Sequence, residues 1–454
     1  MRRFTAALAA RFGLAAVLAL AAEGANAQDP ARIRIDAYAL PNGLRVQLVE
    51  DHSSQVVAVD LWYDVGARND VAGRTGFAHL FEHMMFQGSQ HLKKVEHSSL
   101  IEKAGGRDNA STQYDITNYF EWLPSNRLNL ALWLEAERMR GLNVTAEGLK
   151  NQVEAVKEER RLREDNQPYG RAVWEETIAL FDAKTCYPYG HSLIGSMADL
   201  EAAKVEDVQA FFKIYYAPNN VTLTVVGDFS PAEAKALIAQ YYGGIPRQSA
   251  PPAARCDQAF HTGAVRKQVT DDKATLPAVI ALYRLPATSH ADLPALELLS
   301  TILGSGESSR LNKVLSRDTK AALAAQTMVN PFGPRRGPGM LLGLAIANQG
   351  VSADSVERLL TREITLVAQT GVTIEELTKA KNQYRAGKIE ERQRAFALAE
   401  AVQFASTYLG SPDAVNTDLE RFARVTVDDI KRVAAAYLVA DNALTITIVP
   451  PEKK

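Results

Sequence analysis

Two distant segments of this chain follow one plan. VEDVQAFFKIYYAPNNVTLTVVGD (205–228) and VDDIKRVAAAYLVADNALTITIVP (427–450) each show helical spacing, a turn at an asparagine and then an alternating strand. At one constant offset, Asp207 matches Asp429, Tyr215 matches Tyr437 and Asn220 matches Asn442. The same helix–turn–strand order at the end of both halves predicts a duplicated domain.

Between the halves runs GGIPRQSAPPAARCDQAF (243–260), whose Pro, Gly and Ala content marks a linker. The expected divisions are an N-terminal domain over 28–245, a linker over 246–261 and a C-terminal domain over 262–454. Alternating β-rich runs at 44–51, 55–66, 118–124 and 278–286 read as strands. Helical periodicity covers 127–140, 147–165, 293–304, 352–370 and 374–390. Neighbouring strands joined by short turns, without a strict βαβ rhythm, predict an α+β fold. It should hold two homologous domains, each a mainly antiparallel sheet packed with helices.

Residues 1–27 stand apart. Arg2 and Arg3 precede an apolar run from about Phe12 to Ala22, and Ala25-Asn26-Ala27 precedes Gln28. A basic start, a short apolar core and an A-x-A site read as a secretory signal peptide. The run falls short of the ~20 residues that span a bilayer, so no stable membrane anchor is expected. The mature chain should start near Gln28, exported to the periplasm or secreted. A net charge of −2 with 23% charged residues gives no reason to expect nucleic acid as a partner. Export would place Cys186 and Cys256 in oxidising surroundings, which permits a disulfide and leaves their pairing open.

The chemistry concentrates in GFAHLFEHMMFQGS (76–89). A helix is expected from about Phe77 to Phe86. At about 100° per residue, His83 lies at about 40° from His79 and Glu82 at about 300°, so the three share one side. Two imidazoles one turn apart can reach the same zinc ion, with Glu82 beside them as a base. Burying two histidines and a glutamate in a segment rich in Phe, Leu and Met is costly unless they are paired or metal-bound. A catalytic zinc needs a third protein ligand. His91, His97, His191 and several acids are candidates. In LKNQVEAVKEERRLRED (149–165), Leu149, Val153, Ala155, Val156 and Leu162 mark an apolar half that includes Glu159 and excludes Glu154 and Glu158. Glu159 is thus favoured as the acid that needs a partner.

These residues, with AGGRDNASTQYDITNYF (104–120), LEAERM (134–139), VKEERR (156–161), PYGHSLIGS (188–196) and YYAPNNVTLTVVGD (215–228), resemble the pitrilysin-type zinc peptidases, the inverzincins, over nearly the whole mature chain. The family includes insulin-degrading enzyme and mitochondrial processing peptidase. The resemblance implies one zinc per chain on His79, His83 and Glu159, the last lying 76 residues beyond His83. It implies Glu82 as general base and paired α+β domains forming half of a clamshell around an unfolded peptide. Asn109 and Ala110 would lie on the edge strand to which substrate backbone adds. The expected activity is that of an exported zinc endopeptidase. A dedicated precursor-processing peptidase and a non-catalytic scaffold of the same fold are the alternatives.

Two departures matter. Active relatives carry an Arg and a Tyr seven residues apart in the second domain. In GSGESSRLNKVLSRDTKAALAAQ (304–326), Arg317 fits the Arg, but the Tyr position is Ala324. A partner bringing the pair, preferably a heterodimeric paralogue, is therefore expected. The second is Gln152, where many relatives have Glu.

Overall fold

The computed structural model describes residues 32–331 and 333–452. The expected signal peptide lies outside the described residues. Eleven strands form two sheets among the described residues. The first contains β1 (Asp36–Ala39), β2 (Arg45–Glu50), β3 (Val56–Tyr63), β4 (Arg107–Thr112), β5 (Thr117–Pro124) and β6 (Val221–Gly227), in the order β1-β2-β6-β3-β5-β4. The second contains β7 (Val265–Thr270), β8 (Ala278–Leu285), β9 (Ala322–Val329), β10 (Gly339–Ala347) and β11 (Ala443–Val449), in the order β7-β11-β8-β10-β9. Each sheet is antiparallel except for one parallel pair, β2 with β6 and β11 with β7. Helices pack on both sheets, which makes the fold α+β.

The repeated residues do the same work in each half. The Asn220 side-chain amide donates to the Tyr215 carbonyl at 2.9 Å and to the Asp64 carbonyl at 3.3 Å. Asn442 donates to the Tyr437 carbonyl at 2.7 Å and to the Arg284 carbonyl at 2.9 Å. Each asparagine therefore ties the last turn of a helix, Val205–Tyr215 or Val427–Tyr437, to a neighbouring strand or its end. Asp207 and Asp429 accept from backbone N–H groups at the starts of those helices.

The halves interlock. Helix Ala395–Leu409, late in the sequence, covers a face of the first sheet. Its Gln403 donates to the Asp60 and Thr222 carbonyls at 3.1 and 2.8 Å, and Trp62 donates to Glu400 at 3.2 Å. In return, Ala172, Leu180, Phe181 and Tyr189 share a core with Ile280, Leu282, Met340 and Leu444 of the second sheet. Residues from Ile35 onward accordingly form one compact unit. Cys186 and Cys256 are joined in a disulfide, which pins the stretch between helix Pro231–Tyr242 and β7 to this exchanged segment. No helix among the described residues is long and apolar enough to cross a membrane.

Candidate metal centre

The motif helix spans Phe77–Met84, two residues shorter than expected at its end. Phe77, Leu80, Phe81 and Met84 are buried in the first core, so packing fixes its rotation. Its start is fixed by a carboxylate. Asp70 accepts from the Gly76 N–H at 2.8 Å and the Ala78 N–H at 3.0 Å, satisfying donors that no helical carbonyl can reach. Gly76 has φ +79, and a Cβ there would meet the Ile194 carbonyl oxygen at 2.3 Å. Only glycine lets the segment around Ile194 pack this closely against the helix start.

Helix Ala146–Arg160 lies against the motif helix and brings Glu159 to the two histidines. Glu159 Oε2 is 3.5 Å from His79 Nε2 and 3.2 Å from His83 Nε2. Its other oxygen, Oε1, pairs with Arg163 at 2.7 Å. The apolar stripe identified in the sequence holds at Leu149, Val153 and Val156. Ala155 and Leu162 are exposed instead. Leu162 falls in the π-helical turn Arg161–Asp165, whose wider winding carries it out of register with the preceding helix.

Glu82 faces the same space. Thr112 Oγ1, on β4, donates to Glu82 Oε2 at 2.7 Å. Burial raises the Glu82 carboxyl above the ordinary glutamate range, with Thr112 and His83 opposing. Burial also depresses His79 to about 4, helped by the charge of His83 and opposed by Glu159. Burial pulls His83 down as well, but Glu159, Glu82 and a hydrogen bond that the His83 ring donates to the Gln152 side chain outweigh it and leave His83 raised. Glu159 is lowered: its histidine and arginine neighbours overcome its burial.

The three groups fit a zinc ion. Ligands about 2.0–2.1 Å from a tetrahedral centre stand about 3.3 Å apart, close to the separations seen. Metal binding requires unprotonated imidazole and ionised carboxylate, which the shifts at His79 and Glu159 favour. A second cluster, His97, Glu121 and Glu135, is fully buried. There Arg138 Nε donates to Glu135 at 2.8 Å, so one of its two carboxylates is already ion-paired, while His97 Nε2 and both Glu121 oxygens are buried without a hydrogen-bond partner among the described residues. His91 pairs with Glu137 at 2.8 Å, and the His191 ring lies 3.2 Å from the Ser192 carbonyl through Nδ1. Of the candidate third ligands, Glu159 is the one brought to the pair.

The centre opens into a cavity of about 540 Å³. Asn109 and Ala110 line it from β4, which among the described residues pairs only with β5 and is the edge of its sheet. The Ala110 N–H is met by the Asn109 side-chain oxygen at 2.9 Å. The second half contributes Asn330, Gly333 and Arg335 to its lining. Arg317 is exposed in the turn Asn312–Asp318 and does not line this cavity, and Ala324 is exposed on β9. Asp70, Thr112, Glu164 and Arg335 were not singled out from sequence. The alternation of strand Arg107–Thr112 could have pointed to Thr112, but nothing local marks Asp70 or Arg335.

Comparison with known proteins agrees with this geometry. Residues 45–195 match the family model described as insulinase (peptidase family M16), and residues 202–384 match the peptidase M16 inactive domain. A Helicobacter pylori relative called zinc protease PqqE is 30% identical over 421 residues, which cover 91% of this chain and 93% of the relative.

The chain belongs to peptidase family M16.

Among solved structures, a Helicobacter pylori protease superposes on this M16 chain with a TM-score of 0.86 at 28% identity, covering 92% of this chain and all (100%) of that one. The periplasmic protease PqqL from Escherichia coli shares the fold, with a TM-score of 0.74 at 20% identity. That match covers 91% of this chain and 47% of PqqL.

Proposed function

We propose that this M16 member is a zinc-dependent endopeptidase that cuts peptides or unfolded segments. The observation that carries the reading is the approach of Glu159 to within 3.5 Å of His79 and 3.2 Å of His83, with Glu82 beside them in a cavity bordered by an edge strand. His79, His83 and Glu159 would hold the zinc. A zinc ion bound there supplies Lewis acidity and brings the pKa of water down to about 7. Glu82 takes a proton from the attacking water and returns it to the leaving amine. Thr112 holds the Glu82 carboxylate in place. Backbone groups at Asn109 and Ala110 pair with the substrate as an added strand.

Several further assignments belong to this proposal. The domains run over 28–245 and 262–454, joined by 246–261. Residues 1–27 direct export, and the Cys186–Cys256 disulfide supports an oxidising compartment such as the periplasm. Arg317 stands as the candidate catalytic arginine of the second half, outside the lining of this chain's own cavity. PqqL is roughly twice as long as this chain, which favours two such chains acting together. Because Ala324 stands where a Tyr is expected, the preferred partner is a paralogue carrying an Arg/Tyr pair.

The test is metal analysis together with peptide cleavage, on the chain alone and mixed with a paralogue. One zinc per chain and at least ~100-fold slower cleavage in Glu82→Gln, with zinc retained, are expected. Zinc-free protein, or cleavage unchanged by Glu82→Gln, would instead support the non-catalytic scaffold, which the exposed Ala324 favours.

A further inference from the structure

Glu164 is a buried carboxyl group that the proposed reaction does not use. It sits in the π-helical turn Arg161–Asp165, just beyond Glu159, and is 5% exposed. Its Oε2 is buried with no hydrogen-bond partner. Arg160, whose charge it feels, donates instead to the Gly195 carbonyl and to Glu175. Burial raises the Glu164 carboxyl to about 7; Arg160 opposes this, while Glu175, Asp165 and Glu159 add to it. The group is therefore poised to accept a proton or a cation.

Its surroundings select the kind of cation. Glu164, Trp174 and Leu193 line both the large cavity and a narrow recess leading from it. The recess has about 20 Å³ of free space and is also walled by Tyr114, Phe181 and Tyr189. The Tyr114 hydroxyl donates to the His191 carbonyl at 2.9 Å, and the Tyr189 hydroxyl to Asp115 at 2.8 Å. Both hydroxyls are thus engaged elsewhere, and the rings remain as walls. Aromatic faces attract cations, and a desolvated carboxylate does so more strongly. The space admits about one water-sized group. An ammonium is that compact, whereas a planar guanidinium is not.

We propose that Glu164 and its aromatic recess recognise a primary ammonium group of the peptide substrate, close to the scissile bond. Two sources share this chemistry, a lysine side chain and a free peptide N-terminus. The proposal rests on the peptidase reading for the identity of the ligand as a peptide, but binding tests it without turnover.

The experiment uses full-length, zinc-loaded Glu82→Gln protein and peptides labelled at the C-terminus. One sequence is made with lysine, norleucine or arginine at one position, each with a free or acetylated N-terminus, and binding is read by fluorescence anisotropy. The ammonium-bearing peptide should bind at least about tenfold more tightly than its uncharged counterpart. A gap between lysine and norleucine identifies the side chain as the source, and a gap between free and acetylated peptides identifies the N-terminus. Adding Glu164→Gln should abolish the gap with zinc content unchanged. Equal binding of all peptides, no binding at all, arginine binding as tightly as lysine, or a gap that survives Glu164→Gln would each overturn the proposal. Wild-type protein that binds the ammonium peptide selectively but cuts it neither alone nor mixed with the paralogue would sink the peptidase reading and leave the recognition standing.

Discussion

At the residue scale, the site depends on one carboxylate distant from the proposed chemistry. Asp70 holds the first N–H groups of the motif helix and thereby the direction in which His79 and His83 point. Asp70→Ala should cost about 1–2 kcal/mol in urea unfolding, the usual effect of removing a helix cap. It should also weaken zinc binding in a chelator competition, because the imidazoles lose their common orientation. The histidines and Glu82 were legible because their relation is set by the pitch of a single helix. Glu159 was half legible: its stripe separated it from Glu154 and Glu158, but which helix it would meet was a long-range fact. Asp70 was not legible, because an aspartate in a polar loop looks the same whether it caps a buried helix or faces water.

At the scale of elements, β4 is an edge strand whose Ala110 N–H meets the Asn109 side chain instead of a neighbouring strand. Proline is tolerated on edge strands where no ladder bond is lost. Ala110→Pro should therefore lower kcat/KM for peptides roughly 3- to 10-fold, the worth of one backbone hydrogen bond. Zinc content and thermal stability should stay near wild type. A larger fall in stability would mean that this N–H serves the sheet instead. The disulfide acts on the stretch that precedes β7. It closes a loop with a sequence separation of 70, and constraining such a loop in the unfolded chain is worth about 4 kcal/mol. Cys186→Ser combined with Cys256→Ser should lower stability by up to that amount in a denaturant titration.

At the scale of the whole molecule, the two halves are joined across a polar seam. Asp60, on β3, and Glu400, on helix Ala395–Leu409, face each other in the interior, bridged by the Asn118 amide at 3.4 and 2.9 Å. Burial raises Asp60 well above the aspartate range, and the charge of Glu400 raises it further; Glu400 is raised by burial as well. An acid whose folded pKa exceeds its unfolded value keeps a proton that the unfolded chain has already lost. This contribution is present at low pH and disappears as pH rises above the ordinary carboxylate range towards the folded value. Thermal melts should show Asp60→Asn gaining stability relative to wild type as pH rises from 5 to 8. An unchanged difference across that range would show that the pair does not govern the seam.

The sequence by itself determined what repeats locally. Hydrophobic period set the helices and strands, the two Asn-turn segments announced the duplication, and one helical turn placed His79, Glu82 and His83 together. These features depend on residues within a few positions of each other, so the chain carries them in its own spacing. Tertiary structure decided what depends on separate segments meeting: the Asp70 cap, the Thr112 bond to Glu82, the Glu164 recess and the exchange of Ala172–Tyr189 for Ala395–Leu409 between the sheets. Buried polar groups must find partners wherever packing brings them, and that meeting is fixed by the summed burial of both cores, not by any local pattern.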